Sequence, residues 1–287
     1  MFKTVAGLMQ YHMPPAEEDV LAPYVNTKDT FIELASEQRL AIMFRLNEKR
    51  AKISQLSKDL GITMQEVHRN VKRLQDAGLI EKDPEGVFSL TTFGNTIIKQ
   101  IPTLNYLAKH KDYFSEHVLG ELPIKFIMRL GALDKCEFVK GVVAILERWK
   151  DIYRQADEYI YEIVPQVPID LIEPAVTRVK EKGVKYSYIF PKDVIIPKGR
   201  KELLKKLGHN ELLNKGAIER RMVESVQVAV ILNEKQAAVL FPTQKGETDM
   251  NIIFYSSDPV FHEWCLDYFR YRWYGSEIFD ESKLKEI

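Results

Sequence analysis

The sequence predicts a two-domain protein in which an α+β winged helix-turn-helix at the N-terminus is joined to a C-terminal α/β domain with a mixed sheet. Three observations predict this fold class. The chain has 287 residues, more than one typical domain needs. Helix, glycine-turn and hairpin signals follow one another closely before residue 95. Short β-branched runs then alternate with helical patterns after residue 158.

Composition favours a folded intracellular protein. Apolar residues make up 45% and charged residues 29% of the chain, which excludes wholesale disorder. No apolar run approaches the roughly 18 residues of a membrane span, and the N-terminus lacks a signal-sequence pattern. We therefore expect a cytoplasmic protein with no membrane partner. Cys136 and Cys265 lie far apart, which argues against a disulfide scaffold or a cysteine zinc site and predicts two buried thiols.

The pattern divides the chain into four segments. They are an N-terminal arm, the winged helix-turn-helix, a helical linker or dimerisation region, and an α/β effector-like domain, at residues 1–27, 28–95, 96–157 and 158–287. The arm contains three prolines and an acidic run without a sustained period, so no function is assigned to it.

Helix start and stop signals predict the helix-turn-helix. Ser36 is well placed to cap a helix over residues 37–47. A short second helix is expected to stop at Gly61, because glycine tolerates the left-handed conformation of a helix C-terminus. Thr63 and Glu66 then fit a capping box, in which each side chain bonds the other residue's backbone amide. A further helix therefore begins directly after the glycine turn.

This further helix carries two kinds of residue at helical spacing. Its apolar residues form one stripe that is expected to pack inward, namely Met64, Val67, Val71 and Leu74. Donor-bearing residues recur on the opposite side and are predicted to face DNA, namely Gln65, His68, Arg69 and Lys72. Arg69 is expected to read bases, since its guanidinium can grip a guanine edge with two hydrogen bonds.

A hairpin and a local positive charge complete the predicted DNA-binding unit. Two strand candidates flank residues 83–86, whose Pro and Gly suit a type I turn, and this hairpin would be the wing. Phosphate contacts are expected from Lys72, Arg73 and Lys82. The chain has a net charge of zero, but residues 52–73 hold five basic and two acidic residues. That surplus of three is a modest local attraction for a polyanion.

A resemblance to the winged helix of ArsR/MarR-type regulators covers residues 36–94, which read SEQRLAIMFRLNEKRAKISQLSKDLGITMQEVHRNVKRLQDAGLIEKDPEGVFSLTTFG. The Ser-x-x-Arg start, LQDAGLI and LTTFG carry it. The resemblance implies a transcription regulator that binds double-stranded DNA. Metal-sensing members of this group have a Cys-x-Cys pair in the recognition helix, whereas this chain has no cysteine there. No metal site and no cofactor are therefore expected.

Five short β-branched or aromatic runs predict the strands of the C-terminal sheet, at residues 159–164, 185–190, 226–232, 237–241 and 251–256. A helical pattern over 168–183 separates the first two, so these strands are predicted to be parallel. The third and fourth are close enough for a hairpin. An aromatic-rich helix over 261–273 is interpreted as core or interface.

A second resemblance covers part of this region. The segments FIMRLGAL, VVAILERWKDIYRQADEYIYEIVPQVP and RMVESVQVAVILNEKQAAVLFP resemble the effector region of archaeal winged-helix regulators related to the one that governs methanogenesis genes. More distantly, they resemble sugar-responsive archaeal regulators whose effector domain has a phospholipase-D-like fold. Phospholipase-D enzymes need His-x-Lys, and none of the six histidines here has a lysine two positions on.

A small-molecule effector is also predicted. Arg220, Arg221 and Tyr255 are expected near the rim of the sheet, where open α/β sheets form ligand crevices, and they would suit a small anion. An alternative stays open, in which the two arginines are solvated charges paired with Glu219 or Glu224.

These observations lead to one expected function and one rival. We expect a sequence-specific DNA-binding transcription regulator that forms a homodimer, because one short recognition helix covers few base pairs and the helical pattern over 92–107 can pair with its mate. The rival is a winged-helix protein-interaction module without direct DNA binding. An enzyme is not expected, since the sequence has no P-loop, dinucleotide fingerprint or nucleophile elbow.

Overall fold

The structure is a computed structural model that describes residues 25–166 and 168–286. The chain divides into two units, of which the first ends at Lys99 and the second begins at Gln100. Most of the predicted arm over residues 1–27 lies outside the described residues. Within the described ranges, no helix is long and apolar enough to cross a lipid bilayer.

The first unit has the element order of a winged helix. Its elements are α1 (Val25–Leu34), α2 (Glu37–Glu48), α3 (Ile53–Leu60), α4 (Met64–Asp76), β1 (Ile80–Lys82), β2 (Phe88–Leu90) and α5 (Thr92–Ile98). Strands β1 and β2 are antiparallel, and Ala51 adds a bridge to Phe88. The sequence predicted every one of these elements except α1 and the separate α5.

Helix α1 is held to α2 by one nearly buried side chain. The Arg39 guanidinium donates from Nε to the Glu33 carbonyl and from Nη2 to the Ile32 carbonyl, each at 2.8 Å. These are carbonyls of the last turn of α1, which have no partner within the helix. Ser36 caps α2 as predicted, since its hydroxyl accepts from the Arg39 amide.

The second unit contains helices on both faces of one large sheet. Its helices are α6 (Ile101–Lys109), α7 (Lys111–Glu116), α8 (Ile124–Ile127), α9 (Val142–Gln155), α10 (Ile169–Lys182), α11 (Arg200–Lys206), α12 (His209–Asn214) and α13 (Pro259–Tyr274). Its strands are β3 (Glu137–Lys140), β4 (Tyr159–Ile163), β5 (Lys185–Pro191), β6 (Ile195–Ile196), β7 (Ile218–Val223), β8 (Ala229–Asn233), β9 (Ala237–Leu240), β10 (Ile252–Ser256), β11 (Glu277–Ile278) and β12 (Lys285–Glu286). Two 3₁₀ helices lie at Leu130–Leu133 and Glu281–Lys283.

Eight of these strands form a mixed sheet in the order β11-β7-β5-β4-β8-β9-β10-β3. The pairs β4–β5 and β5–β7 are parallel and the remaining pairs are antiparallel. Helices α9 to α12 pack on one face, and α6 to α8 with α13 pack on the other. The predicted fold class, the five predicted strands and the parallel first pair are confirmed.

Among the segments that differ from the prediction, three have a clear physical reason. The helical pattern over 92–107 is broken between Ile98 and Ile101, and Pro102 lies in the first turn of the second piece, where its missing amide costs nothing. Phe138 falls in the helical region predicted for residues 96–157, but it lies in β3, which pairs with β10 along the edge of the sheet. The sequence also missed β7, which carries two adjacent arginines and so shows no apolar alternation.

The region predicted as a linker, residues 96–157, spans the end of the first unit and the start of the second. Its helices α6 to α9 pack against the sheet, with Tyr106 and Trp149 fully buried on opposite faces. The two cysteines are both free thiols. Cys265 is buried, whereas Cys136 is only partly buried, and burial raises the pKa of its thiol to about 11.

Candidate nucleic-acid interface

The turn between α3 and α4 fixes the direction of α4. Gly61 adopts the left-handed conformation with φ 68°, as a helix C-terminus favours. The Glu66 carboxylate accepts from the Thr63 amide at 2.9 Å, and the Thr63 hydroxyl accepts from the Glu66 amide at 3.2 Å. The Thr63 hydroxyl also donates to the Glu66 carboxylate at 2.7 Å, and this bond, together with that from the Thr63 amide, lowers the pKa of Glu66 below its usual value. The predicted capping box is therefore present.

The inward face of α4 is apolar with one polar exception. Val67, Val71 and Leu74 are buried, as predicted. Asn70 is also buried, and its amide donates to the Gln38 side chain at 2.8 Å and to the Glu66 carbonyl at 3.0 Å. The first bond ties α4 to α2. This face is therefore occupied by the rest of the unit and cannot contact a ligand.

Met64 was assigned to the buried stripe, and this assignment is wrong. It is the first residue of α4, and its side chain is 60% exposed. The apolar stripe of a helix packs only where another element lies beneath it, and here the packed stripe begins at Val67. Met64 therefore stands at the exposed N-terminal end of α4, beside the predicted base-reading residues.

The outward face of α4 carries the four predicted DNA-facing residues, and all are exposed, namely Gln65, His68, Arg69 and Lys72. Their spacing of three and four residues brings them onto one side of the helix. Within the part of the chain that the structure describes, none of these side chains makes a hydrogen bond or an ion pair. Their donors and charges are thus available to an external partner.

Arg73 differs from these four residues because it already has a partner. Its Nη2 donates to Glu33 Oε1 at 2.6 Å and its Nε donates to Glu33 Oε2 at 3.1 Å. The hydrogen bonds and charge of Glu33 raise the pKa of the guanidinium. Glu33 also pairs with Arg39 at 2.9 Å. Arg73 therefore joins α4 to α1 and does not belong to the unpaired donor set.

The wing is a short hairpin with an anchored tip. The Gly86 amide donates to the Asp83 carbonyl at 3.0 Å, which closes the predicted turn. The Asp83 carboxylate accepts from the amides of Glu85 and Val87 and from the Arg50 guanidinium. Lys82 is exposed, and its ammonium lies 5.7 Å from the centre of the Phe88 ring. Its charge remains accessible, as a phosphate contact requires.

The three residues predicted to bind an effector do not lie together. Arg220 and Arg221 are neighbours in β7, so their side chains point to opposite faces of the sheet. Tyr255 lies in β10, five strands from β7, which corresponds to roughly 24 Å at the usual strand spacing. A single small ligand cannot contact all three, so the predicted site as a set is not assembled.

Each of these residues has its own partner. The Arg220 guanidinium pairs with Glu281 at 2.6 Å, and Arg221 lies 5.3 Å from the centre of the Trp273 ring. The Tyr255 hydroxyl donates to Gln236. The alternative pairing of the arginines with Glu219 or Glu224 is also wrong, because those two carboxylates pair with Lys185 and Lys192.

Comparison with known protein families finds a match over the first unit and the start of the second. The family model described as the HVO_A0261 N-terminal domain matches residues 28–109, which include α2 to α5 of the first unit. The match covers less than a third of the chain. No curated protein shows significant sequence similarity to it.

Similarity to solved structures covers each half of the chain. TrmBL2, described as an archaeal chromatin protein with a novel mode of DNA binding, is 13% identical, with a TM-score of 0.40 over 88% of this chain and 100% of that one. A homodimeric winged helix-turn-helix DNA-binding domain from Mycobacterium bovis is 16% identical, with a TM-score of 0.30 over 34% of this chain and 95% of that one. Nuc from Salmonella typhimurium, a phospholipase D family member, is 13% identical, with a TM-score of 0.35 over 51% of this chain and 100% of that one.

Proposed function

We propose that the chain is a sequence-specific DNA-binding transcription regulator that acts as a homodimer, with the second unit as its effector domain. One observation carries this proposal. Helix α4 buries one face and presents unpaired donors on the other, with Arg69 and Lys72 adding positive charge. A helix of this kind fits the major groove, which is about 12 Å wide, and reads base edges there.

Different side chains of the interface suit different parts of DNA. The Arg69 fork suits the O6 and N7 atoms of guanine, and the Gln65 amide suits the N6 and N7 atoms of adenine. Met64, exposed beside them, can contact a thymine methyl group. Lys72 and Lys82 suit backbone phosphates, which position a protein without specifying sequence. The interface thus combines base readers on α4 with a phosphate contact on the wing.

The composition of this face favours DNA over a protein partner. The buried centre of a protein interface is depleted of charge and rich in apolar and aromatic residues. The outward face of α4 instead carries two unpaired cations, a histidine and a glutamine, with Met64 as its one exposed large apolar residue. Desolvating two unpaired cations against a neutral protein surface would be unfavourable, whereas phosphates compensate them.

Apolar side chains elsewhere on the first unit support dimer formation. Phe31 and Ile32 on α1, Phe44 on α2 and Phe93 on α5 are each more than two-fifths exposed. Large apolar residues exposed in this number are typical of interaction surfaces. Light scattering at micromolar concentration should give twice the 33.3 kDa mass of one chain, and Phe44→Glu should shift the mass towards the monomer. A single 33.3 kDa species in the unmodified protein would contradict the dimer alone.

Selection from random duplexes tests the DNA-binding proposal. The full chain should enrich a defined sequence, and Arg69→Ala should lose one or more positions of that sequence. Lys99→Ala removes a charge outside the helix-turn-helix and the wing, and it should leave the sequence unchanged. No retardation of any duplex at low salt would reject DNA binding and leave the protein-interaction module as the remaining function.

A further inference from the structure

Positive charge is concentrated in one part of the second unit. Residues 198–215, which contain α11 and α12, hold six basic and two acidic residues, in a chain whose net charge is zero. This surplus of four is larger than the surplus of three over residues 52–73, which include most of α4. The second unit therefore carries its own local attraction for a polyanion.

The packing of α11 and α12 directs this charge to solvent. The leucines of the two helices pack against the core of the sheet, namely Leu203, Leu204, Leu207, Leu212 and Leu213. Lys205 and Lys206 are exposed at the end of α11, and Lys198 is exposed just before its start. Because α11 has seven residues and is about 10 Å long, lysines at its two ends can contact one partner.

A further lysine joins this group from the end of α10. Lys180 is exposed, and a Cβ on Gly208 would lie 3.5 Å from its Nζ. Gly208 stands between α11 and α12, so this ammonium group lies at the junction of the two helices. Three segments of the chain therefore supply the lysine surface, which consists of Lys180, Lys198, Lys205 and Lys206.

The lysine surface has no partner of its own. Within the part of the chain that the structure describes, none of its four side chains makes a hydrogen bond or an ion pair. Other lysines of the second unit are paired, as Lys109 is with Asp134 and Lys185 is with Glu219. An anionic partner would thus gain attraction at the lysine surface without breaking an existing ion pair.

We propose that the lysine surface binds the phosphate backbone of double-stranded DNA without reading its sequence. A lysine ammonium is a compact point charge with no fixed geometry, which suits phosphate contact. Such contacts position a protein and carry no sequence information. The arginine of this segment, Arg200, is only 5% exposed and offers no fork for base edges. The inference goes beyond the proposed base reading by α4, because it gives the second unit a DNA contact of its own.

Two other kinds of partner fit the lysine surface less well. Helices that lie on anionic membranes insert an apolar face into the lipid. The leucines of α11 and α12 are instead packed in the core, and neither helix exposes a large apolar side chain. The centre of a protein interface is rich in apolar and aromatic residues and depleted of lysine. A polyanion with evenly spaced charges and no need for apolar contact is therefore favoured.

Lysine acetylation followed by mass spectrometry tests this inference on the full chain. A random-sequence duplex at low salt should slow the acetylation of Lys198, Lys205 and Lys206. Lys111 and Lys245 are exposed controls on the α7 side of the sheet, and their reactivity should not change. Protection confined to α4 and the wing would overturn the inference. Phosphatidylglycerol vesicles in place of the duplex should protect none of these lysines, and protection by vesicles alone would overturn the DNA assignment.

A double variant measures the contribution to affinity. Lys205→Ala with Lys206→Ala removes two phosphate contacts and should flatten the slope of log affinity against log salt by about 1.8, at about 0.9 per contact. Both side chains are exposed, so the fold should be kept. Lys111→Ala with Lys245→Ala removes the same charge from the α7 side and should leave the slope unchanged. An equal loss in both double variants would assign the effect to net charge and overturn the inference.

Failure of this inference and failure of base reading by α4 give different results. Binding to an enriched sequence that ignores the loss of Lys205 and Lys206 would overturn the lysine surface and leave base reading in place. Binding to random duplexes that needs these lysines, without any preferred sequence, would support the lysine surface and overturn base reading.

Discussion

Arg73 and Glu33 are joined by two hydrogen bonds between α4 and α1, with a shortest distance of 2.6 Å. Arg73 is one of the six residues predicted to contact DNA, and this pair holds its guanidinium on α1 instead of leaving it free for DNA. Because Glu33 also binds Arg39, its carboxylate stays in position when Arg73 moves. A DNA phosphate must therefore compete with Glu33 for the Arg73 guanidinium.

Removing this competitor should strengthen DNA binding without changing its sequence preference. In Glu33→Gln, Arg73 becomes free to contact a phosphate. One additional phosphate contact should steepen the slope of log affinity against log salt by about 0.9. Filter binding or fluorescence anisotropy between 50 and 200 mM salt, about the range in which such slopes are measured, reports this change. Glu37→Gln removes an equal charge from the start of α2, and a similar slope change there would point to net charge as the cause.

Arg69 and Lys82 should respond differently to replacement by alanine. Loss of Arg69 should reduce the discrimination between the preferred sequence and a guanine-substituted one by about 1–3 kcal/mol. Loss of Lys82 should weaken all duplexes about equally and flatten the salt dependence. Anisotropy titrations with matched and mismatched duplexes measure both. A sequence-selective loss from Lys82→Ala, or an unchanged preference in Arg69→Ala, would contradict the assigned roles.

Acidification should destabilise the second unit through His209. Burial and the positive charges of Arg220 and Arg200 lower its folded pKa to about 4, below the ordinary 6.5, so the unfolded chain binds more protons between these values. The stability that depends on a neutral His209 is therefore fully present above pH 6.5 and is lost progressively as the pH falls towards 4. Urea unfolding followed by tryptophan fluorescence reports this unit, because all three tryptophans lie after residue 100. His209→Asn should flatten the pH dependence over this window, and an unchanged slope would exclude His209 as its source.

Two glycines of the first unit should differ sharply in their tolerance of alanine. A Cβ on Gly94 would lie 1.9 Å from the Leu79 carbonyl oxygen, which accepts from the Thr91 amide. Moving the Gly94 or the Leu79 backbone away would disturb that hydrogen bond. Gly94→Ala should therefore lower the free energy of unfolding by about 3 kcal/mol or more. Gly61 has open space around it, and alanine there meets only the left-handed strain of about 1–2 kcal/mol. Urea unfolding followed by circular dichroism measures the stability of both variants. Equal losses of stability in Gly94→Ala and Gly61→Ala would contradict the prediction.

The first unit was largely predictable because its signals are local. Thr63 and Glu66 bond each other across three residues, and Gly61 needs only its own conformation, so short sequence windows contain the whole cause. Helix α1 was missed because Arg39, which holds it, lies in the next helix and donates to backbone carbonyls of α1. Every residue has such a carbonyl, so the residue types do not show which ones accept these hydrogen bonds. The Arg73–Glu33 pair spans 40 positions and was missed for a similar reason.

The surroundings of Arg220 in the second unit could not be predicted, because strand order decides them. Arg220 was singled out from its sequence, but its partner Glu281 lies 61 positions later. Arg221 and Tyr255 were grouped with it, yet β-strand alternation turns one away and five strand positions separate the other. The parallel strands β4 and β5 were predictable, because the helix between them allows few other arrangements.

The position of β3 at the end of the sheet has a consequence for biosynthesis. Its Lys140 pairs with Ile252, 112 positions further along the chain. A ribosome adds roughly 5–20 residues per second, so β3 emerges about 6–22 s before its partner strand exists. During that time, Phe138 and one row of backbone amides and carbonyls have nothing to pair with. The nascent chain therefore carries a completed winged helix ahead of a half-built sheet, and this interval is when aggregation or chaperone capture competes with folding.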